Sequence, residues 1–233
     1  METKTQESLA WLPSLLQTAD PLFPTGAYAH SFGLEELMRL GAVSDEKSLG
    51  EFLCQQLLPA MEKLELPYLR FGIELSPDLD ALCALDREIH AWKLAAEARS
   101  ASIQIGTRRL TALHKMYDLP LLSGFLDALK AGRAHGHHLS ASALQSCIQG
   151  LPLEGALFAY GYQSLAGACT AALKLLRIGQ DGCQRVLTLA LTKLPGVVER
   201  SLGAERHSAG CFSPLLEIAS MRHAFAKERL FIS

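Results

Sequence analysis

Valine is scarce in this chain, with four in 233 residues, while leucine and alanine dominate. That balance favours helix over strand, because β-branched residues suit a pleated surface and leucine and alanine lose little on entering a helix. No stretch alternates apolar and polar residues long enough to form a strand, no hairpin dipeptide joins two such stretches, and no repeat of solenoid period is present. A field of one sign is missing as well: the formal charge is −2 and the pI about 6.4. A nucleic-acid partner held by counterion release would require a basic footprint, so none is expected.

Reaction motifs are equally absent. There is no G-x-x-x-x-G-K-[ST] phosphate cradle, no G-x-G-x-x-G after a strand, no H-E-x-x-H and no G-x-S-x-G. Any nucleotide chemistry would come from a partner, and neither a catalytic residue nor a cofactor is expected. The six cysteines, Cys54, Cys83, Cys147, Cys169, Cys183 and Cys211, form no C-x-x-C pair and mostly fall inside apolar helical patterns, which fits a reducing cytoplasm. The start, Met1 to Glu7, is polar and acidic, unlike a signal peptide. Residues 155–173 carry no formal charge over 19 residues, close to the ~20 that cross a bilayer. They hold Tyr160, Tyr162, Gln163, Ser164, Thr170 and three glycines, however, too polar a set for lipid. The segment reads as a central, fully surrounded bundle helix, with a membrane adaptor as the alternative.

What is present is helical periodicity. After Ser44, residues Leu49, Phe52, Leu53, Gln56, Leu57 and Ala60 recur on one face, with Asp45, Glu46, Lys47 and Glu51 opposite. Ser76-Pro77-Asp78 supplies an N-cap and first-turn proline for a second helix carrying Leu82, Leu85, Ile89 and Trp92. Further helices are expected at about 93–116, 119–131, 138–149, 153–176, 182–199 and 214–229. The length suits one large helical domain or two small ones. One is expected: an all-α bundle of roughly nine or ten helices spanning 1–233, with 203–233 as a flexible linker and C-terminal docking segment.

Several local patterns could carry chemistry. His135, His137 and His138 lie within four residues, and imidazole binds nickel and zinc, which leaves a metal-dependent hydrolase as an alternative. No cysteine or carboxylate sits beside them to complete a site, so a solvated helix start is the simpler reading and no metal site is assigned. The run from Asp20 to Glu36 begins as a proline-fixed loop with Gly26 available for a left-handed turn, then enters a helix near His30 or Ser31. His30 and Ser31 point about 100° apart on a helix, so capping is preferred to a nucleophile–base pair. Around Arg99 to Gly106, Ser102 and Gly106 suit a tight packing seam and Arg99 a buried carboxylate partner. Lys174 and Arg177 form a cationic helix end. Near the terminus Ile218, Met221 and Phe225 make an apolar stripe beside basic Arg222, His223, Lys227 and Arg229, a plausible docking element.

From Leu15 to Glu35 the pattern L-L-Q-x-A-D-x-x-x-P-T-G-A-Y-A-H-S-F-G-L-E resembles the opening signature of the urease accessory protein UreF family. The likeness continues through Arg99, Ser102 and Gly106, through Gly179-Gln180 and Gly182-x-Gln184, and through Pro214 to Arg229-Leu-Phe-x-Ser233. Lys174 stands where that family commonly has arginine, Ala224 where an acidic residue is frequent, and Ile232 where arginine is frequent. The resemblance implies an all-α homodimer that is not an enzyme, acting in the cytoplasm. It would be flanked by the accessory protein UreD (UreH), recruit the GTPase UreG, and prepare apo-urease for nickel insertion and lysine carbamylation. It also implies partner contacts at Pro24, Gly26, His30, Ser31, Glu35, Arg99, Lys174, Gln180, Gln184, Arg222, His223, Arg229, Leu230 and Phe231. Within that set, Arg222, His223 and Arg229 to Phe231 would dock UreD or steer UreG, and the Pro21 to Glu35 region would lie near the dimer or a partner interface.

Overall fold

Leucine and alanine at helical spacing do fold as helices in the computed structural model, which describes residues 9–20, 22–27, 30–31, 33–210 and 213–232. Ten helices and no strand lie among the described residues. α1 (Leu12–Ala19) leads through the signature loop into the short α2 (Leu34–Arg39). α3 is one rod from Glu46 to Leu75, in which α-helical Glu46–Phe52, Leu58–Ala60 and Leu66–Leu75 alternate with π-helical Leu53–Leu57 and Met61–Glu65. Each π turn ends two residues before a proline, Pro59 or Pro67. A proline has no N–H and its ring crowds the carbonyl of the preceding turn, so widening that turn lets the rod continue. Then come α4 (Leu79–Trp92), α5 (Ala96–Met116), α6 (Pro120–Lys130), α7 (His138–Ile148), α8 (Leu153–Leu175), α9 (Gln180–Leu202) and α10 (Pro214–His223).

Helix starts follow side-chain chemistry, with shifts from the sequence reading. Asp45 caps α3, its carboxylate accepting from Ser48 N at 2.8 Å. α4 is capped by Asp78, which accepts from Asp80 N and Ala81 N, so Pro77 lies ahead of the cap and not in the first turn. Ser76 instead closes α3, buried, donating to Gly72 O at 2.7 Å. α2 begins at Leu34 with Gly33 as N-cap at φ 87, later than His30 or Ser31. Ser31 still assists, its hydroxyl accepting from Glu35 N at 3.5 Å.

Two apolar cores share two helices, α4 and α7. The larger joins Leu49, Leu53, Met61 and Leu66 of α3 to Leu157 and Leu165 of α8 and to Val186 and Leu194 of α9. The smaller joins Phe23, Leu82, Leu110, Leu113, Leu122 and Phe125. α7 serves both, with Leu139 and Ala143 in the first and Ala141 and Leu144 in the second. Every residue of α7 from Leu139 to Ser146 is buried. The fully surrounded helix is therefore α7, not α8 with its uncharged stretch 155–173, whose Phe158, Tyr162 and Leu173 are 37%, 45% and 38% exposed. Small side chains explain the exchange. A Cβ on Gly72 of α3 would come within 2.7 Å of Ala143 Cβ, a spacing available only to glycine against alanine. No helix among the described residues is long and apolar enough to cross a membrane.

Candidate functional site

Residues from the two ends of the chain meet around two adjacent glutamates. α2 places Glu35 and Glu36 next to each other on its first turn, held against α10 by Gly33, where a Cβ would lie 3.2 Å from both Ala219 Cβ and Ser220 Oγ. Glu35 captures the tail backbone. Its carboxylate accepts from Leu230 N at 2.7 Å and from Phe231 N at 3.0 Å. His223, 1% exposed, stands between Glu35 (Nε2, 2.9 Å) and Glu97 of α5 (Nδ1, 2.8 Å), and Arg229 reaches the same Glu97 at 2.8 Å. Only an imidazolium can donate to both carboxylates at once. Glu36, wholly buried, takes two bonds from Arg39 at 2.7 and 2.8 Å and one from Arg222 at 2.8 Å.

These contacts set the carboxylates. Arg39, and beside it Arg222, hold the Glu36 carboxyl down at about 2 against the opposing push of burial. Burial also pushes Glu35 upward, but the Leu230 N–H, His223 and the Phe231 N–H outweigh it and keep its carboxyl below the usual range. Phe231 is buried, and Lys174 at the end of α8 lies 5.2 Å from its ring centroid. The described residues of segment 203–233, read from sequence as a linker and docking element, thus run back over α2, α5 and α8, tied by Glu35, Glu36 and Glu97. The segment's exposed side mixes apolar and charged residues: Leu215, Ile218, Met221, Phe225, Leu230 and Ile232 are exposed, Phe225 to 87%, beside exposed Arg222, Lys227, Glu228 and Arg229.

Seven of the expected residues, Glu35, Lys174, Arg222, His223, Arg229, Leu230 and Phe231, therefore share one cluster, with Ser31 at its edge. The others lie elsewhere. Pro24 is exposed, while Gly26, at φ 71, passes so close to Arg108 that a Cβ would meet Nη1 at 2.1 Å. His30 is buried, and burial, with the Arg108 charge beside it, pushes its imidazole below the usual value. Much of the signature loop is inward-facing, with Phe23, Thr25, His30 and Ser31 all buried, while Leu22 is 89% exposed; Pro21, Tyr28, Ala29 and Phe32 lie outside the described residues. Among the described residues Arg99 meets no carboxylate and donates instead to the Lys93 and Leu94 carbonyls, because the chain bends between α4 and α5 and leaves those oxygens open. Gln180 and Gln184 are exposed on the first turns of α9, the helix end where Arg185 pairs with Glu46 at 2.8 Å. Cys211 and Ser233 also lie outside the described residues; the other cysteines are free thiols.

The histidine run separates into two environments. His138 faces Tyr160, 5.3 Å between ring centroids, and Ser142. His135 stacks on His90 at 3.7 Å, and buried His137 sets Nε2 3.1 Å from His90 Nδ1 and Nδ1 3.1 Å from Ser102 Oγ. The carboxylate of buried Asp86 accepts from His135 N, Gly136 N and His137 N in succession, which holds the loop in shape. Burial pushes His137 down to about 4 and His138 well below its usual value. His135, His137 and His138 do not converge on one point, and among the described residues no group of three or more His, Cys, Asp or Glu could hold a metal ion. Asp86, His90, Glu36 and Glu97 went unrecognised in the sequence. Apart from Arg39, three residues from Glu36, their partners lie dozens of residues away, with no motif to mark them.

A protein-family model described as UreF matches residues 43–190. The chain belongs to the UreF family. It is 32% identical over 224 residues to a urease accessory protein UreF of Actinobacillus pleuropneumoniae, covering 95% of this chain and 99% of that protein. It is 34% identical over 223 residues to one from Arthrobacter sp. (strain FB24), covering 94% and 96%. A third, from Haemophilus influenzae (strain PittEE), is 29% identical over 235 residues and covers both chains fully. Glu35, Glu36 and the tail lie outside the region the UreF model matches, yet the relatives align across nearly the whole chain.

Proposed function

We propose that this chain is a non-catalytic scaffold for maturation of the urease metallocentre. In this reading it works in the cytoplasm as a homodimer, binds UreD (UreH), recruits and regulates the GTPase UreG, and presents apo-urease for nickel insertion. One unit, 1–233, supplies the surfaces, and 203–233 is its docking element. The observation that carries the reading is the set of exposed apolar side chains Leu215, Ile218, Met221, Phe225, Leu230 and Ile232 on a segment tied down by Glu35, Glu36 and Glu97. Contiguous exposed apolar side chains rimmed by charges mark protein-binding surfaces. Tying the segment down through the clamp presents those side chains in a fixed shape, which lowers the ordering cost of docking.

The experiment is urease activation in cells lacking the gene, with co-purification of UreD and UreG on the tagged chain. Removal of the residues after Pro214, and the double change Ile218→Ser/Phe225→Ser in the intact chain, should each abolish recovery of UreD. Since both side chains are exposed, the double variant should melt as the parent does. Undiminished recovery of UreD and UreG with both variants would sink the docking assignment, and normal urease activation without the gene would sink the function.

A further inference from the structure

Arg109, on α5, is 5% exposed, and among the described residues no carboxylate pairs with it. Its Nη1 donates to Gln145 Oε1 and its guanidinium lies 5.5 Å from the Phe23 ring centroid, but Nε has no hydrogen-bond partner. A buried charge left without a counter-ion is among the costlier arrangements in a folded protein, and an unmatched donor beside it adds to the cost. Arg109 also lines a small cavity where α1, α5, α7 and α8 meet, together with Thr18, Ser142, Gln145, Tyr160 and Gln163. The cavity holds about 20 Å³, enough for one particle about the size of a water molecule and too little for a phosphate, sulfate or carboxylate.

The remaining polar groups fix the sign of the occupant. Thr18 Oγ1 donates to Ser14 O at 2.8 Å and accepts from Gln145 Nε2 at 2.5 Å. Gln163 Nε2 donates to Thr18 O at 3.1 Å, and Ser146 Oγ donates to Ser142 O at 2.8 Å. What is left over is a cationic N–H donor. A water molecule would satisfy that donor but leave the charge unmatched, and a cation would be repelled. We propose that this cavity binds a small monovalent anion of the halide class, chloride in ordinary solution, against Arg109.

The site has a structural consequence. Phe23 lies on Arg109 and opens the loop that carries Pro24 to Glu35, while Thr18 ends α1. A bound anion therefore ties α1 and the signature loop to the buried helix α7.

The test compares thermal melts of the purified chain in sodium chloride, bromide and gluconate at fixed ionic strength. Amide exchange over residues 12–27 is followed in parallel, and a crystal grown in bromide supplies an anomalous difference map. The halides should raise the midpoint by about 2 °C or more over gluconate and slow exchange in that segment. The map should show bromide within hydrogen-bonding distance of Arg109 Nε, and Arg109→Met should lose the salt difference. Equal midpoints in all three salts, cavity density without anomalous signal (an ordered water only), or a halide shift that survives in Arg109→Met would each overturn the proposal. Should Arg109→Met not fold, the wild-type melts and the bromide map decide the matter.

Discussion

Replacing Glu36 by glutamine removes the one buried anion that Arg39 and Arg222 share, at almost constant volume. The magnitude follows from the shifted carboxyl. Its value falls from 4.5 to about 2 in the folded chain, and 2.5 units correspond to about 3 kcal/mol at neutral pH. Both arginine side chains are 53% exposed, so solvent screening brings the expected loss nearer ~2 kcal/mol. In a chain of this size that is a fall of about 4–8 °C in the melting midpoint. The pH dependence supplies the sharper test. A depressed carboxyl contributes stability that is fully present above its unfolded value near 4.5 and is lost as pH falls toward about 2. The midpoint difference between the parent and Glu36→Gln should therefore be constant from pH 7 to about 5.5, shrink below that, and close near pH 2. Scanning calorimetry at half-unit intervals reads this directly. A difference below about 1 °C at pH 7, or one independent of pH down to 3, would show that the glutamate contributes through shape and not charge.

Three other outcomes are expected from melts at neutral pH. Gly106→Ala places a methyl 2.1 Å from Gly136 O and 2.6 Å from His137 C, both backbone, and should cost about 2–3 kcal/mol. Gly167→Ala, inside α8 with nothing within 4 Å of the added methyl, should instead stabilise by ~0.5–1 kcal/mol. Asp86→Asn turns one of the oxygens facing the His135, Gly136 and His137 amides into a donor, and should cost about 3 kcal/mol or more.

Periodicity made the helices legible because it is a local property. Leu49, Phe52 and Leu53 share a face wherever the helix lies, and Asp45 caps it from three residues away. The joins were less legible. Pro59 and Pro67 are ordinary helix breakers, yet α3 passes both by widening the turn before each. The choice of central helix was misread for a related reason. Absence of charge in residues 155–173 suggested burial, but burial depends on how closely other backbones approach. Serine and alanine along α7 allow a closer approach than Phe158 and Tyr162 allow on α8.

The tail cluster lies between these cases, and the reason is electrostatic. Sequence marks charged residues but not their partners, so Arg222 and His223 were recognised as basic and assigned to a partner's surface. In the folded chain their charges are already matched, by Glu36 for one and by Glu35 with Glu97 for the other. A charge already matched within the fold is a weaker attraction for another protein, because part of its bonding is committed, even where, as for Arg222, the side chain is 53% exposed. If this tail recruits a partner, the attraction must come from Ile218, Met221, Phe225, Leu230 and Ile232, with the basic residues fixing how those side chains are presented. Raising the salt concentration should then leave partner binding nearly unchanged, whereas recognition by the arginines themselves would weaken steeply with salt.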